Sequence, residues 1–197
     1  MIIKKKYLEY LSKRDNTLGK IIKNFQKPSI TTSDDYLLDL VKYIIFQQIS
    51  TKAGITIYKR FMTYYKNGDF QMKKFHLTEK VQKEIGLSGQ KKLYIENIFL
   101  NKEEIIGLKE IDDEKIIRET LIKIKGIGNW TIDMFLIFSK GHLDIFPLGD
   151  LAVVNVIKKE YKVESMNQIL EIANKWSPYK TIGTLYLWES LGDDFPN

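Results

Sequence analysis

Helical periodicity runs through almost the whole chain, and it constrains the fold more than any other feature of the sequence. Apolar residues recur at spacings of three and four, as in Leu37, Leu40 and Ile44, and no segment alternates apolar and polar residues as a half-buried strand does. Residues suited to helix capping precede these stripes: Ser33, Thr78, Ser88, Asp112-Asp113, Asp150 and Ser165. The sequence therefore predicts an all-α fold of about nine or ten helices.

The composition excludes several kinds of site. The chain has 197 residues, 44% of them hydrophobic, which is enough for one domain or two small lobes. It has no cysteine, so disulfides, thiolate zinc sites and iron–sulfur clusters are excluded, and two histidines, His76 and His142, disfavour a histidine-built metal site. No 18-residue apolar run and no secretory pattern is visible. We expect no membrane association and a location in the cytoplasm of a bacterium or archaeon, or in a nucleus.

The positive charge is concentrated near the N-terminus. The formal net charge is +6, and residues 1–30 carry all of it, because the basic and acidic residues of the remaining chain balance. A basic segment permits a polyanionic partner, but a solvated lysine-rich segment is an equally good interpretation. The charge alone therefore does not identify a nucleic-acid-binding protein.

A short glycine turn divides two helical patterns near the middle of the chain. Gly126-Ile-Gly128 ends one apolar stripe, and Asn129-Trp-Thr-Ile-Asp133 begins the next. Glycine permits positive φ angles and close approach of another backbone, and a helix N-terminus presents unpaired N–H groups that can bind phosphate. A plain corner between two helices is the alternative, since a lone Gly-x-Gly is weakly specific.

Four segments together resemble a known family. The hairpin run from Leu121 to Asp133 is one of them, and the others follow the family's order: Ile44-Ile-Phe-Gln-Gln-Ile-Ser50, Gly86-Leu-Ser88 with Lys91-Lys-Leu-Tyr-Ile95, and Trp176-Ser-Pro-Tyr-Lys180 with Trp188. Together they span about residues 40–190 and resemble the helix-hairpin-helix DNA glycosylase superfamily, in particular its DNA-3-methyladenine glycosylase II branch. The resemblance implies a two-lobed helical fold without the N-terminal β domain of some relatives.

The resemblance also implies how the chain divides. A central helical lobe would comprise residues 35–146 and would contain the helix-hairpin-helix at about 113–140. A second helical lobe would comprise residues 1–34 and 147–197. We expect the substrate cleft between the two lobes, with Trp130 on one side and Asp150 and Trp188 on the other.

Site residues are implied in the same way. Asp150, after Phe146-Pro-Leu-Gly149, matches the family's catalytic carboxylate, although an isolated aspartate there would be read as an ordinary N-cap. Its carboxylate would stabilise oxocarbenium charge on the sugar or orient water. The remaining assignments are a base pocket at Trp130, Trp188 and Met134, and phosphate-binding positions at Gly126, Ile127, Gly128, Asn129 and Thr131.

Three further expectations concern strand cutting, the wedge and a cation. Trp130 occupies the position where strand-cutting branches carry a Schiff-base lysine, so the resemblance implies a monofunctional enzyme. Ile49 or Gln48, with neighbouring Gln47 as an alternative, would fill the gap left by a flipped base. Backbone carbonyls of Ile122, Ile124 and Ile127 would hold a structural Na⁺ or K⁺; no cofactor is expected to be required.

The function implied is excision of an alkylated purine of the 3-methyladenine type from double-stranded DNA by a monomeric base-excision repair glycosylase. Three alternatives stay open at this point. The chain could be a glycosylase for a deaminated, mismatched or oxidised base, a non-catalytic helix-hairpin-helix DNA-binding module, or a helical protein-interaction domain. Asp150 in its Pro-x-Gly-Asp setting favours the enzyme over the two non-catalytic readings.

Overall fold

The computed structural model describes residues 2–29, 32–66 and 76–192, whose regular secondary structure is entirely helical, with no strand. A 3₁₀ turn at Leu108–Glu110 and a π-helical turn at Phe135–Ser139 accompany the α-helices. The helices are α1 (Lys5–Arg14), α2 (Asn16–Asn24), α3 (Tyr36–Phe46), α4 (Thr51–Lys66), α5 (Glu79–Ile85), α6 (Gly89–Leu100), α7 (Lys102–Gly107), α8 (Glu114–Leu121), α9 (Asn129–Met134), α10 (Leu151–Tyr161), α11 (Met166–Asn174) and α12 (Lys180–Glu189). The predicted all-α class is confirmed.

The described part of the chain contains twelve α-helices, slightly more than the nine or ten predicted. The additional helices are α1, α2 and α7. Only Asp15 separates α1 from α2, and only Asn101 separates α6 from α7, so each junction is too short to interrupt the apolar pattern.

Most of the predicted capping residues cap a helix in the structure. A side-chain oxygen of Thr78, Ser88, Asp113, Asp150 and Ser165 accepts a hydrogen bond from an N–H in the first turn of the helix that follows. Ser33 is the exception. Asp35 caps α3 through the Leu38 N–H at 3.1 Å, and Ser33 instead accepts from the Asp35 N–H, also at 3.1 Å. The carboxylate two residues nearer the helix therefore replaces the predicted hydroxyl.

The first compact unit, which we call the internal unit, comprises Ser33–Phe135. Its centre is α3, which packs against α4, α6, α7 and α9. Leu40, Ile44 and Ile45 of α3 have no exposed surface, so this helix forms the core around which the others lie. The glycine turn between α8 and α9 belongs to this unit.

The second compact unit, which we call the terminal unit, comprises Met1–Thr32 and Leu136–Phe195, whose last residues, 193–195, lie outside the described part. Its central helix is α12, buried from Thr181 to Trp188 and packed against α2, α10 and α11. A buried carboxylate also joins its two chain segments, since Asp15 Oδ2 accepts hydrogen bonds from Trp176 Nε1 and Tyr161 Oη, each at 2.8 Å. No helix in the described residues is both long and apolar enough to span a membrane.

Candidate active site

The hairpin between α8 and α9 is fixed by its own backbone and by three buried isoleucine or leucine side chains. The Ile124 N–H donates to Leu121 O at 3.1 Å, and the Ile127 N–H donates to Ile124 O at 3.0 Å. Leu121, Ile124 and Ile127 are all buried, spaced three residues apart. The turn is therefore anchored from its apolar side while Gly128 and Asn129 remain exposed.

The two glycines of the hairpin serve different purposes. Gly126 has φ +106°, and a Cβ atom built there would overlap the ring of Tyr94. Gly128 has an ordinary φ of −109°, and a Cβ atom built there would meet no heavy atom within 4 Å. The fold therefore requires glycine at 126, whereas the contacts within the chain do not require it at 128.

The N-terminus of α9 carries no side-chain cap. Gly128 is its N-cap residue, and Gly128 O accepts the first helical hydrogen bond, from the Ile132 N–H at 3.0 Å. The N–H groups of a first helical turn have no acceptor within their own helix. Because Gly128 and Asn129 are exposed and Trp130 is half-buried, this turn can accept an anion from outside the chain.

An ion pair fixes α8 against α9 behind the hairpin. Arg118 Nη2 lies 2.8 Å from Asp133 Oδ1, and Arg118 Nε lies 2.8 Å from Glu114 Oε1. Burial raises the pKa of Asp133 and is only partly opposed by the Arg118 guanidinium. The ion pair between Arg118 and Asp133 thus fixes the orientation of α8 relative to α9.

The segment predicted to supply the wedge follows α3 in the internal unit. Gln47 is tied to the hairpin, because its Nε2 donates to Gly126 O at 3.1 Å and to Thr131 Oγ1 at 2.9 Å. Gln48 is exposed and adopts φ +56°, and Ile49 is half-buried. Gln47 is therefore committed to the hairpin, which leaves Gln48 and Ile49 as the wedge candidates.

Asp150 lies in the terminal unit at the start of α10, where it is both N-cap and buried carboxylate. Its Oδ1 accepts from the Val153 N–H at 3.0 Å, and its own N–H closes a turn by donating to Pro147 O at 2.9 Å. The residue is 7% exposed. Trp188 Nε1 lies 3.4 Å from the same Oδ1, so the structure brings the predicted catalytic carboxylate and a predicted pocket aromatic together.

Phe138 extends this cluster and was missed by the sequence reasoning. The π-helical turn Phe135–Ser139 contains Phe138, whose ring stacks on that of Trp188 with centroids 5.7 Å apart and an interplanar angle of 26°. In the sequence, Phe138 belongs to an apolar run that ordinary helix periodicity explains. A π-helical turn has no simple sequence signal, and such turns occur frequently at functional sites.

Trp130 and Met134 lie in α9 of the internal unit. Trp130 is half-buried in the first turn, whereas Met134 has no exposed surface. The predicted cation ligands lie in the hairpin turn, where Ile124 O also accepts the Ile127 N–H. Among the described residues, no group of three or more histidine or carboxylate side chains is arranged to hold a metal ion.

Comparison with known proteins places the chain in a family. No family model matches it. It is 30% identical over 194 residues to the alkylbase DNA glycosidase-like protein mag2 of Schizosaccharomyces pombe, and the alignment covers 92% of this chain and 91% of that protein. The chain belongs to the helix-hairpin-helix DNA glycosylase superfamily, in its 3-methyladenine glycosylase branch. The superfamily and branch predicted from the four sequence segments are confirmed.

Solved structures share the fold of this glycosylase-family chain. The 3-methyladenine DNA glycosylase Mag1 of Schizosaccharomyces pombe, in complex with abasic DNA, matches with a TM-score of 0.83 at 24% identity, covering 98% of this chain and 100% of that one. A DNA-3-methyladenine glycosidase from Bacillus halodurans matches with a TM-score of 0.75 at 27% identity, covering 94% and 89%. The first likeness concerns the fold alone.

Proposed function

We propose that this chain is a monofunctional DNA glycosylase of base excision repair, which flips an alkylated purine of the 3-methyladenine type out of duplex DNA and hydrolyses its N-glycosidic bond. The observation that carries the proposal is Asp150, a buried carboxylate at a helix start beside an indole N–H, in a chain of this family. The product is an abasic site in an uncut strand. Damaged double-stranded DNA is the partner, bound by a single copy of the chain in the compartment that holds the DNA.

Asp150 supplies the charge that the reaction needs. As the bond between the base and the sugar breaks, the bonding electron pair leaves with the base, and positive charge develops on the sugar. A carboxylate in a water-poor site stabilises that charge strongly and can also orient the water that adds to the anomeric carbon. The added water loses a proton to the solvent, and the sugar is left with a hydroxyl group.

The substrate class follows from the leaving group. A purine alkylated on a ring nitrogen carries a positive charge and departs as a neutral base, so the reaction does not need a general acid beside Asp150. Trp130, which is half-buried, would offer an aromatic face to a cationic base through stacking and cation–π attraction. Trp188 is 4% exposed and stacks on Phe138, so only its face away from Phe138 could contact a base. Met134 is the weakest pocket assignment, because it is fully buried.

Binding and extrusion use the internal unit. The N–H groups of the exposed residues Gly128 and Asn129 would hold a DNA phosphate at the start of α9, because the Ile127 N–H is already donated to Ile124 O. Such contacts position a duplex without reading its sequence. Gln48 or Ile49 would fill the gap that the flipped base leaves. A Na⁺ or K⁺ ion on the carbonyls of Ile122, Ile124 and Ile127 would steady the turn.

Trp130 argues for hydrolysis without strand cutting. It occupies the position at which the lyase branches of the family carry a lysine, and an indole cannot form a Schiff base with the sugar. The abasic site therefore stays in an intact strand until another enzyme or alkali cleaves it.

The test is a panel of duplexes of one sequence, each with a single lesion: an alkylated purine, a deaminated base, a mismatch or an oxidised base, with an undamaged control. We expect base release from the alkylated purine and binding that favours it over the undamaged duplex. Release from another lesion instead would reassign the substrate class. Salt-dependent binding that ignores lesions, with no released base, would show a DNA-binding module, and no binding would show a protein-interaction domain.

A further inference from the structure

One face of α6 touches both the segment predicted to extrude the base and the hairpin predicted to bind phosphate. Lys91, Tyr94 and Asn97 are spaced three residues apart, so they lie on neighbouring turns of that face. Lys91 contacts the end of α3, and Tyr94 and Asn97 contact the hairpin. We call this face the α6 bracket.

Lys91 holds the end of α3. Its Nζ donates to Ile45 O and to Gln47 O, each at 2.7 Å, and these are carbonyls of the last turn and the C-cap residue. Helix-terminal carbonyls have no partner within their own helix, and they carry the negative end of the helix dipole. Burial lowers the pKa of Lys91, so the fold accepts a cost to place an ammonium group at this point.

The remainder of the bracket holds the hairpin. The Tyr94 ring lies so close to Gly126 that a methyl group there would overlap it. One turn further along α6, Asn97 Nδ2 donates to Lys125 O at 3.1 Å. The hairpin backbone is therefore held against α6 at two successive residues, Lys125 and Gly126.

Gln47 connects the two parts directly. Its backbone carbonyl accepts from Lys91, while its side-chain amide donates to Gly126 O and Thr131 Oγ1. Gln48, with φ +56°, and Ile49 follow immediately. Gln47 is thus hydrogen-bonded both to α6 and to the hairpin, and the two wedge candidates follow it directly in the chain.

We propose that Lys91 and Gln47 are positioning residues for base extrusion, which fix the wedge loop in register with the phosphate-binding hairpin. The proposal rests on the proposed function, because it assumes that Gln48 or Ile49 enters the duplex and that the hairpin holds the backbone. A wedge that is displaced by about 1 Å relative to the held phosphate would still permit DNA binding but would lower the rate of productive flipping.

The experiment compares Lys91→Met with Lys92→Met. Both substitutions remove an ammonium group from α6 and keep most of the aliphatic stem, but the Lys92 ammonium pairs with Glu96 of the same helix, with Nζ 4.0 Å from Oε1. Three quantities are measured for each protein: DNA affinity, the saturating single-turnover rate of base release, and the fluorescence of a 2-aminopurine beside the lesion, which rises when the base is unstacked.

We expect Lys91→Met to bind DNA within about threefold of the wild type, while its saturating rate and its 2-aminopurine signal fall together by at least about tenfold. Lys91→Arg, which keeps the donors, should recover more of both than Lys91→Met. Lys92→Met should resemble the wild type. A rate and fluorescence signal unchanged in Lys91→Met, or lowered equally in Lys92→Met, would overturn the proposal.

A second variant guards against a folding defect. Gln47→Leu removes the amide that joins the hairpin but leaves the backbone carbonyl that Lys91 caps. If Lys91→Met does not fold, Gln47→Leu tests the proposal in its place. We expect it to show the same loss of rate and of fluorescence signal, with a near-normal DNA affinity. If the wild type releases no base and unstacks none, the proposed function fails; if the wild type does both and these variants match it, only the positioning role fails.

Discussion

Two helix N-termini in this chain meet the same requirement in opposite ways. The first turn of any α-helix leaves N–H groups that its own backbone cannot satisfy. At α10, the carboxylate of Asp150 accepts from the Val153 N–H at 3.0 Å. At α9, Gly128 supplies no side-chain acceptor. One helix therefore carries its own anion, and the other leaves room for an anion from outside.

The two helix N-termini also differ in their exposure to solvent. Gly128 and Asn129 are exposed, as a site for a DNA phosphate requires. Asp150 is 7% exposed and lies beside Trp188, where weaker solvent screening strengthens its effect on a nearby charge. In the proposed function, the N-terminus of α9 holds the nucleic acid and Asp150 at the N-terminus of α10 acts on the sugar, and each of these two roles can be tested separately.

The largest effect is expected from Asp150→Asn. Asparagine caps a helix as well as aspartate does, so folding and DNA binding should change little, while the loss of charge should lower base release by about 10²- to 10³-fold. Single-turnover excision and equilibrium binding to the same alkylated duplex measure the two quantities. Asp35→Asn is the control, since Asp35 also caps its helix, α3, by accepting from the N–H three residues on, Leu38, at 3.1 Å, and it should keep full activity. Wild-type turnover by Asp150→Asn would refute the assigned mechanism.

Gly126→Ala should damage the fold itself. Its φ of +106° strains any L-residue, and the new methyl group would collide with Tyr94. We expect the free energy of unfolding, measured by urea denaturation, to fall by about 2–4 kcal/mol. An unchanged midpoint and slope of the urea transition would show that the hairpin can relax away from α6.

Gly128→Ala should separate binding from stability. No protein atom lies within 4 Å of the added methyl group, so the free energy of unfolding should change by less than about 1 kcal/mol. DNA affinity should fall about tenfold, the equivalent of one charge-assisted hydrogen bond, while the saturating rate of base release stays near the wild-type value. Unchanged affinity would mean that no phosphate approaches this turn.

The smallest effect is expected from Trp188→Phe. The Trp188 hydrogen bond to Asp150 is long, at 3.4 Å, so its loss should lower the single-turnover rate by no more than about tenfold. Trp176→Phe is the matched control, because Trp176 Nε1 donates to a different buried carboxylate, Asp15 Oδ2, at 2.8 Å. The control should lose about 1–3 kcal/mol of unfolding free energy and keep its rate per folded molecule. A normal rate in Trp188→Phe together with a lowered rate per folded molecule in Trp176→Phe would show that Trp188 is not part of the site.

Local patterns predicted what depends on neighbours in sequence. Apolar spacing and capping residues predicted the helical class and most helix starts, and Gly86, with φ +88°, ends α5 where expected. The short helices α1, α2 and α7 were not predicted, because a single residue separates them from a neighbouring helix or because their apolar pattern is brief.

Contacts between distant residues could not be predicted in this way. Gln47 and Gly126 lie 79 positions apart, Lys91 and Gln47 lie 44 apart, and Asp150 and Trp188 lie 38 apart. Each of these contacts depends on how helices pack, which spacing within one helix does not encode. The family resemblance identified Asp150 and the hairpin as candidates and placed Asp150 and Trp188 on the same side of the cleft. Only the structure shows the hydrogen bond between Asp150 and Trp188, and the link from Lys91 through Gln47 to the hairpin.

The most direct test of the whole account incubates the wild-type chain with methylated duplex DNA and divides the sample before alkali treatment. Free base and strand breaks are measured in both halves, and borohydride is added to a parallel sample to trap any Schiff base. The account predicts released alkylated purine, intact strands until alkali, and no trapped protein–DNA adduct. Absence of released base, or strand breaks and a trapped adduct before alkali, would contradict it.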